Sequence, residues 1–283
     1  MQKMKNLAIL FLVVTTLVSC SQYQKTLNGG TTQEQYKMAV KMYEAQKYSK
    51  ALRLFEKITP TFRGKPQMER IQYMVANSNL NVKNYSLAGY YFNRFATNYP
   101  QSSKREEADF LSAFSYYKST PTYSVDQTDI NKAIESFQSF ISNHPDSDKI
   151  EEANKYYKEL RFSLEKKAFE IAKGYYTTAE SDRRNYKASM VAFDNLLEDY
   201  LGTSFKEEAL YYKFKASYDL AVQSISIKKG ERIKDAELAF NKLKRNFPES
   251  EFLKESEKLF SNLQEEKKDL DKIKNQLRLI KRS

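Results

Sequence analysis

The chain has 283 residues, 41% of them hydrophobic and 29% charged, and its mean hydropathy is −0.72; this excludes a protein of many membrane spans and leaves room for one or two globular domains. Only 7 Gly and 6 Pro are scattered along it, with the prolines between periodic segments, so many helices joined by short turns are expected. The formal charge of +11 suggests anionic partners, yet Lys and Glu alternate along helical stretches as on any solvated helix face, and no basic recognition motif supports nucleic acid.

Residues 1–20 carry Lys3 and Lys5, then an apolar run from Leu7 to Val18, then Ser19 and Cys20. The run is short for a membrane span, which favours a secretory signal over residues 1–19. Leu17-Val18-Ser19-Cys20 resembles the lipobox of bacterial lipoproteins, and that resemblance implies cleavage after Ser19 with a lipid on Cys20. Cys20 is the only cysteine, so the chain forms no internal disulfide and its stability in an oxidising compartment must come from packing. Residues 20–32 contain Gly29-Gly30 and show no helical periodicity, the composition of a flexible tether. By analogy with lipoprotein sorting, Ser21 in place of Asp favours the outer membrane. The lack of an acidic cluster after Cys20, of the kind associated with surface export in Bacteroidetes lipoproteins, favours a body facing the periplasm.

Residues 33–249 read as a repeat domain. The stretch Tyr90 to Ala108 recurs as Glu135 to Ala153, Val191 to Ala209 and Leu238 to Ser256, anchored at Pro100, Pro145, Leu201 and Pro248 with spacings of 45, 56 and 47 residues. Eight residues before each anchor stands Phe92, Phe137, Phe193 or Phe240; five before it, Phe95, Phe140, Leu196 or Leu243; one before it, Tyr99, His144, Tyr200 or Phe247. Such steps put one apolar stripe on a helix that the proline then ends. Ser102, Ser147, Thr203 and Ser250 follow two residues past the anchor as candidate caps for the next helix.

In chain order, the first unit runs from about Thr32 to Thr59 and is closed by Pro60, Gly64 and Pro66. The second pairs Gln67 to Val82 with Tyr85 to Asn98, and the third Ser103 to Lys118 with Ile130 to Asn143 across a loop holding Pro121 and Asp126. The fourth begins with a long segment, Asp148 to Ala179, which explains the 56-residue spacing, and continues with Tyr186 to Asp199. The fifth pairs Ser204 to Ser224 with Ile233 to Asn246 across Lys228-Lys229-Gly230. Small residues, Ala51, Ala88, Ala133, Ser189 and Ala236, fall where paired helices approach. Residues 250–283 form a long last helix whose Leu259, Leu263, Leu270, Ile273, Leu277 and Ile280 make a stripe interrupted at Glu266. A cap over the final repeat is the first expectation and a coiled-coil or partner-binding arm the second; the basic end at Arg278, Lys281 and Arg282 could touch an acidic partner or lipid headgroups.

Chemistry-bearing patterns are sparse. His144 is the only His and occupies a packing position, so no catalytic residue and no metal site is expected, and no cofactor. Glu106-Glu107 and Glu151-Glu152 fall in first turns of helices and read as capping boxes with Ser103 and Asp148. Most of the 21 Tyr and 18 Phe sit at packing positions. Tyrosine doublets differ, because neighbours on a helix point about 100° apart, and one of each pair can reach a groove. Tyr90, Tyr91, Arg94, Tyr116, Tyr117, Tyr211 and Tyr212 are the candidate partner contacts.

Helix pairs of this length, with small Ala sites and large aromatic sites, resemble tetratricopeptide repeats, although the chain has no Trp. The fold expectation is all-α: a right-handed superhelical solenoid of about five such pairs with a long C-terminal helix. Together with the lipobox and the aromatic-Pro-x-Ser turns at Tyr99-Pro100-Gln101-Ser102, His144-Pro145-Asp146-Ser147 and Phe247-Pro248-Glu249-Ser250, the chain is similar to the BamD (ComL) family of outer-membrane-protein assembly lipoproteins, and a Bacteroidetes source is expected. Tyr200-Leu201-Gly202-Thr203 departs by losing the proline. The resemblance implies a non-catalytic scaffold held to the membrane by its N-terminal lipid. Its C-terminal repeats would dock on the periplasmic domains of the barrel-forming BamA-like subunit, and its N-terminal repeats would receive unfolded outer membrane proteins. A periplasmic adaptor of the Tol-Pal-associated type is the alternative.

Overall fold

The computed structural model describes residues 22–120 and 128–280. The signal, Cys20, the loop residues Pro121 and Asp126, and the basic end at Lys281 and Arg282 lie outside the described residues. All regular structure among the described residues is helical: α1 (residues 22–29), then α2 (Thr32–Glu44), α3 (Tyr48–Ile58), a 3-10 turn (Thr59–Phe62), α4 (Gln67–Asn81), α5 (Tyr85–Asn98), α6 (Arg105–Ser119), α7 (Thr128–Asn143), α8 (Ile150–Thr178), α9 (Arg184–Asp199), α10 (Lys206–Val222), α11 (Ser226–Asn246) and α12 (Leu253–Ile280). The chain divides into two compact units, with the division after Leu160 inside α8. Within each unit successive helices pack on one another, as in a repeat solenoid.

Four turns between helices are built alike. Each helix ends in an aromatic residue whose amide still donates to the carbonyl four residues back: Tyr99 to Phe95, His144 to Phe140, Tyr200 to Leu196 and Phe247 to Leu243. The amides of Ser102, Ser147, Thr203 and Ser250 then donate to the carbonyls of those same four residues. Their hydroxyls accept from the amides of Lys104, Lys149, Phe205 and Phe252, each at 3.2 Å. The hydroxyls therefore hold the turn that leads into the helix and do not cap its first residue; α6 starts after Lys104 with no side-chain cap. The Ser103–Glu106 capping box is thus replaced by Lys104 Nζ on Glu107 at 2.7 Å. Tyr200 keeps nearly the backbone angles of Phe247 (φ −121, ψ 70 against φ −137, ψ 72) although Leu201 follows it where Pro248 follows Phe247. Hydrogen bonds and aromatic packing set this turn, and the proline only reinforces it.

The aromatic positions of the repeat are the core. Phe55, Phe92, Phe95, Phe137, Phe140, Phe169, Phe193 and Phe214 are among the largest fully buried side chains, each contributing on the order of 1.5–3 kcal/mol through removal from water. The small sites Ala51, Ala88, Ala133, Ser189 and Ala236 are all at 0% exposure, which lets helices approach closely. Ser189 Oγ donates to the Ala172 carbonyl at 2.8 Å, satisfying the one hydroxyl among them.

Two expectations change. The tether expected over residues 20–32 is helical from residue 22 to 29. Tyr23 is 3% exposed, Leu27 packs beside it on the first core, and Tyr23 Oη donates to the Lys50 carbonyl. The helix end is held by Gln35, whose amide donates to the carbonyls of Thr26 and Leu27. Two apolar residues four apart are enough to dock one turn of helix, but too few to register as periodicity. The loop expected at Lys228-Lys229-Gly230 is also absent, since α11 starts at Ser226. Gly230 lies inside that helix, where a β-carbon would meet Lys274 Nζ at 3.2 Å and Leu270 Cδ2 at 3.6 Å. Its role is close approach of α12, not a chain break.

α12 caps the last repeat along much of its length. Phe260 stacks on Phe240 with ring centroids 4.2 Å apart, and Leu263 and Leu270 are buried against Ala221, Ile233 and Ala236. Glu266 interrupts the stripe because it pairs with Lys229 of α11. Ile273 and Leu279 emerge exposed.

Candidate functional site

A groove opens in the first unit where the chain between the first two repeats, residues 59–66, is longer than the four turns built alike. Pro60 enters a 3-10 turn, and Gly64 has φ +76, a conformation that favours glycine. The turn folds back beside α4 and α5 and encloses about 470 Å³. α4 contributes Met68, Ile71, Gln72 and Val75; α5 and its cap contribute Tyr91, Arg94 and Tyr99; the chain leading into and through the turn contributes Glu56, Thr59, Pro60 and Arg63. The floor is largely apolar, and the charged groups around it are the two guanidinium groups of Arg63 and Arg94 and the carboxylate of Glu56. Neither Arg63 nor Arg94 has a carboxylate within ion-pair distance among the described residues. Burial pushes the Tyr99 phenol up, with Glu69 adding to the effect and the positive charge of Arg94 opposing it. A groove with an apolar floor and free cations at its edge suits an extended chain that offers apolar side chains and a negative group.

Of the residues singled out in the sequence, Tyr91 and Arg94 line this groove. Tyr90 is 51% exposed and meets Tyr91 edge-on, with ring centroids 5.4 Å apart. The others go elsewhere. Tyr116 lies over Gly89, whose β-carbon, if present, would come within 2.8 Å of the ring. Tyr117 packs on Tyr156 at 4.4 Å and donates to Glu159 at 2.7 Å; that bond, with burial, pushes its phenol up to about 12. Tyr211 is buried, stacked on Phe252 at 4.4 Å, and donates to Glu255 at 2.7 Å. Tyr212 packs between Phe193 and Phe169. Tyr211 is therefore held in packing between helices, with its hydroxyl satisfied internally by Glu255. Arg63, Pro60 and Met68 were not singled out. Their signal was the Pro60-to-Pro66 interruption, which has no counterpart in the other copies.

Two carboxylates in the first turns of helices, Glu107 of α6 and Glu255 of α12, have structural work. Glu107 takes Lys104 and the phenol of Tyr73, and Glu255 takes Tyr211 and Lys215, so each holds a tyrosine from the preceding repeat. His144 packs at a tilt against Phe140 at 5.2 Å, as Tyr99 does against Phe95 at 5.3 Å, and its Nε2 lies 2.9 Å from Asp109. No group of three or more metal-ligating side chains occurs among the described residues, and no described helix is long and apolar enough to cross a membrane.

No curated protein matches the chain significantly. Among solved structures, one described as "Computational Design of Self-Assembling Cyclic Protein Homooligomers" aligns over 96% of this chain and 98% of its own at 15% identity, with a TM-score of 0.21. The family model described as "YfiO: Outer membrane lipoprotein" matches residues 29–233, a span that runs from the end of α1 into α11 and includes the whole groove. The chain belongs to this family of outer membrane lipoproteins.

Proposed function

We propose that the protein is a non-catalytic scaffold of the outer-membrane β-barrel assembly machinery, and that its N-terminal groove receives extended segments of unfolded outer membrane proteins. The observation that carries this reading is the groove itself, with its apolar floor and the unpaired Arg63 and Arg94 at its rim. A transmembrane β-strand in its unfolded state alternates apolar and polar side chains, so one face matches the floor while its anionic groups meet the rim. In this reading Cys20 carries the lipid, the body faces the periplasm, and the C-terminal repeats dock on the periplasmic domains of the barrel-forming subunit.

Three experiments test it. Recovery of the barrel-forming subunit from detergent-solubilised membranes supports the scaffold role; its absence, with Tol-Pal components recovered instead, supports the adaptor reading. Tyr91→Ala combined with Arg94→Gln should weaken binding of an unfolded barrel segment by about tenfold or more, as expected for loss of an aromatic anchor. Because Tyr91 also packs against the core around Phe92 and Phe95, the double variant should lose some thermal stability, and Arg94→Gln alone, at an exposed residue, separates loss of binding from loss of fold. Unchanged binding would remove the groove from the mechanism. Cys20→Ala should shift the protein out of the membrane fraction.

A further inference from the structure

The second unit carries a basic cleft that neither the repeat packing nor the scaffold reading uses. It lies where the start of α9, the end of α10 and the start of α11 meet, encloses about 380 Å³, and is lined by Arg183, Arg184, Lys187, Lys228 and Arg232 with no carboxylate among its lining residues. Arg184 is neutralised by Asp182 at 2.7 Å. The other four have no ion-pair partner among the described residues. Two of them are held in place by neutral groups: Arg183 Nη1 donates to the Gln223 carbonyl at 3.3 Å and Arg232 Nη1 to Ser224 Oγ at 2.5 Å. The contrast with the next residue is informative, because Lys229 turns inward to Glu266 while Lys228 stays exposed at the cleft.

Beside these cations stand two aliphatic side chains in open solvent, Ile225 at 67% and Ile227 at 90% exposure. One exposed isoleucine is ordinary. Two within three residues, next to four unpaired cations, form a surface that is basic and apolar at once. Such a surface matches a bilayer interface, where anionic phosphates overlie hydrocarbon: cations stay at the phosphate level while the aliphatic tips enter beneath them. The family places the chain beside a membrane, so a weak contact of this kind acts at high local concentration. We propose that the Arg183–Arg232 cleft and the Ile225–Ile227 tip form a docking site for anionic phospholipid headgroups, a membrane contact separate from the N-terminal anchor.

The chain has no Trp, so Ile227→Trp introduces a single reporter at a solvent-exposed site. The test uses the chain from residue 21 onward, which contains every described residue and lacks the apolar signal. Vesicles of phosphatidylethanolamine containing phosphatidylglycerol should shift the Trp emission to the blue, while phosphatidylcholine vesicles and inorganic phosphate should not. Lys187→Gln with Lys228→Gln should weaken vesicle binding on the order of thirtyfold, from about 1 kcal/mol per basic residue at an anionic surface, with no change in the unfolding midpoint. The proposal is overturned by any of three results: no blue shift with anionic vesicles, an equal shift with neutral ones, or unchanged affinity in the folded double variant. Saturable binding of inorganic phosphate without vesicle binding would make the cleft a free-anion site and overturn it equally.

Discussion

The second and last repeats place the same repeat position in opposite circumstances. Nine residues before the turn anchor, α5 has Tyr91, at the edge of the open groove, whereas α11 has Ala239, buried with Phe214 and Phe240 and packed by Leu259 and Phe260 of α12. The two intermediate copies carry Ser136 and Ala192 there. Three residues further on, Arg94 stands against Ser139, Asn195 and Lys242. A small residue at this position belongs to an ordinary or covered repeat, while the large aromatic Tyr91 followed by Arg94 stands at the repeat that lines the N-terminal groove. The repeat frame thus supplies a common core, and function enters through departures from it.

The largest effect is expected at the covered end. Leu263 is at 0% exposure, so Leu263→Ala should cost about 2–5 kcal/mol, read by denaturant unfolding of the second unit. A loss under 0.5 kcal/mol would mean that α12 only lies on the repeats and is not their cap. At the open end, Gly89 sets how α5 meets α6. A β-carbon there comes within 2.8 Å of the Tyr116 ring, and Gly89→Val should destabilise the first unit by roughly 1–3 kcal/mol through overpacking, measured as a lower unfolding midpoint.

Smaller effects address the turns. Leu201 stands where the other copies have proline, is 83% exposed, and its amide makes no backbone hydrogen bond in the turn. Leu201→Pro should therefore stabilise by about 0.4–1 kcal/mol by restricting the unfolded chain; a lower melting temperature would show that this turn differs from its relatives. The smallest effect is acid dependence at the α10–α12 contact. The Tyr211 hydroxyl and Lys215 hold the Glu255 carboxyl below its ordinary value of 4.5. A carboxylate depressed in the folded state contributes stability that is present above its unfolded value and lost as pH falls through the folded one. Because the Glu255 side chain is 52% exposed, its share should stay within the ~0–1 kcal/mol of solvated pairs. Glu255→Gln should flatten the pH dependence of stability below 4.5; an unaltered slope would remove Glu255 from the acid response.

Much of the helix frame was legible because the aromatic positions recur at fixed distance from the turn, and Phe92, Phe95, Phe137, Phe140 and Phe193 are buried as that recurrence requires. What was not legible lies where a long-range partner decides. Tyr23 and Leu27 look like tether residues until Gln35 and Lys50 are brought to them. Gly230 looks like a chain break until α12 is laid across it. Tyr91, Tyr116 and Tyr211 were indistinguishable members of doublets. Their fates are set by neighbours distant in sequence: the Pro60–Gly64 turn opens beside Tyr91, Gly89 receives Tyr116, and Phe252 with Glu255 buries Tyr211. Doublets report only that one ring points off the core stripe, not what waits for it.

The most direct measurement places a photo-crosslinking residue at position 91 in one variant and at position 238 in another, since Leu238 is 69% exposed on α11, and supplies an unfolded outer-membrane barrel. Adducts with the unfolded barrel at position 91, and few at 238, are the predicted result. Equal labelling at both positions, or none at 91, would contradict a groove that receives substrate.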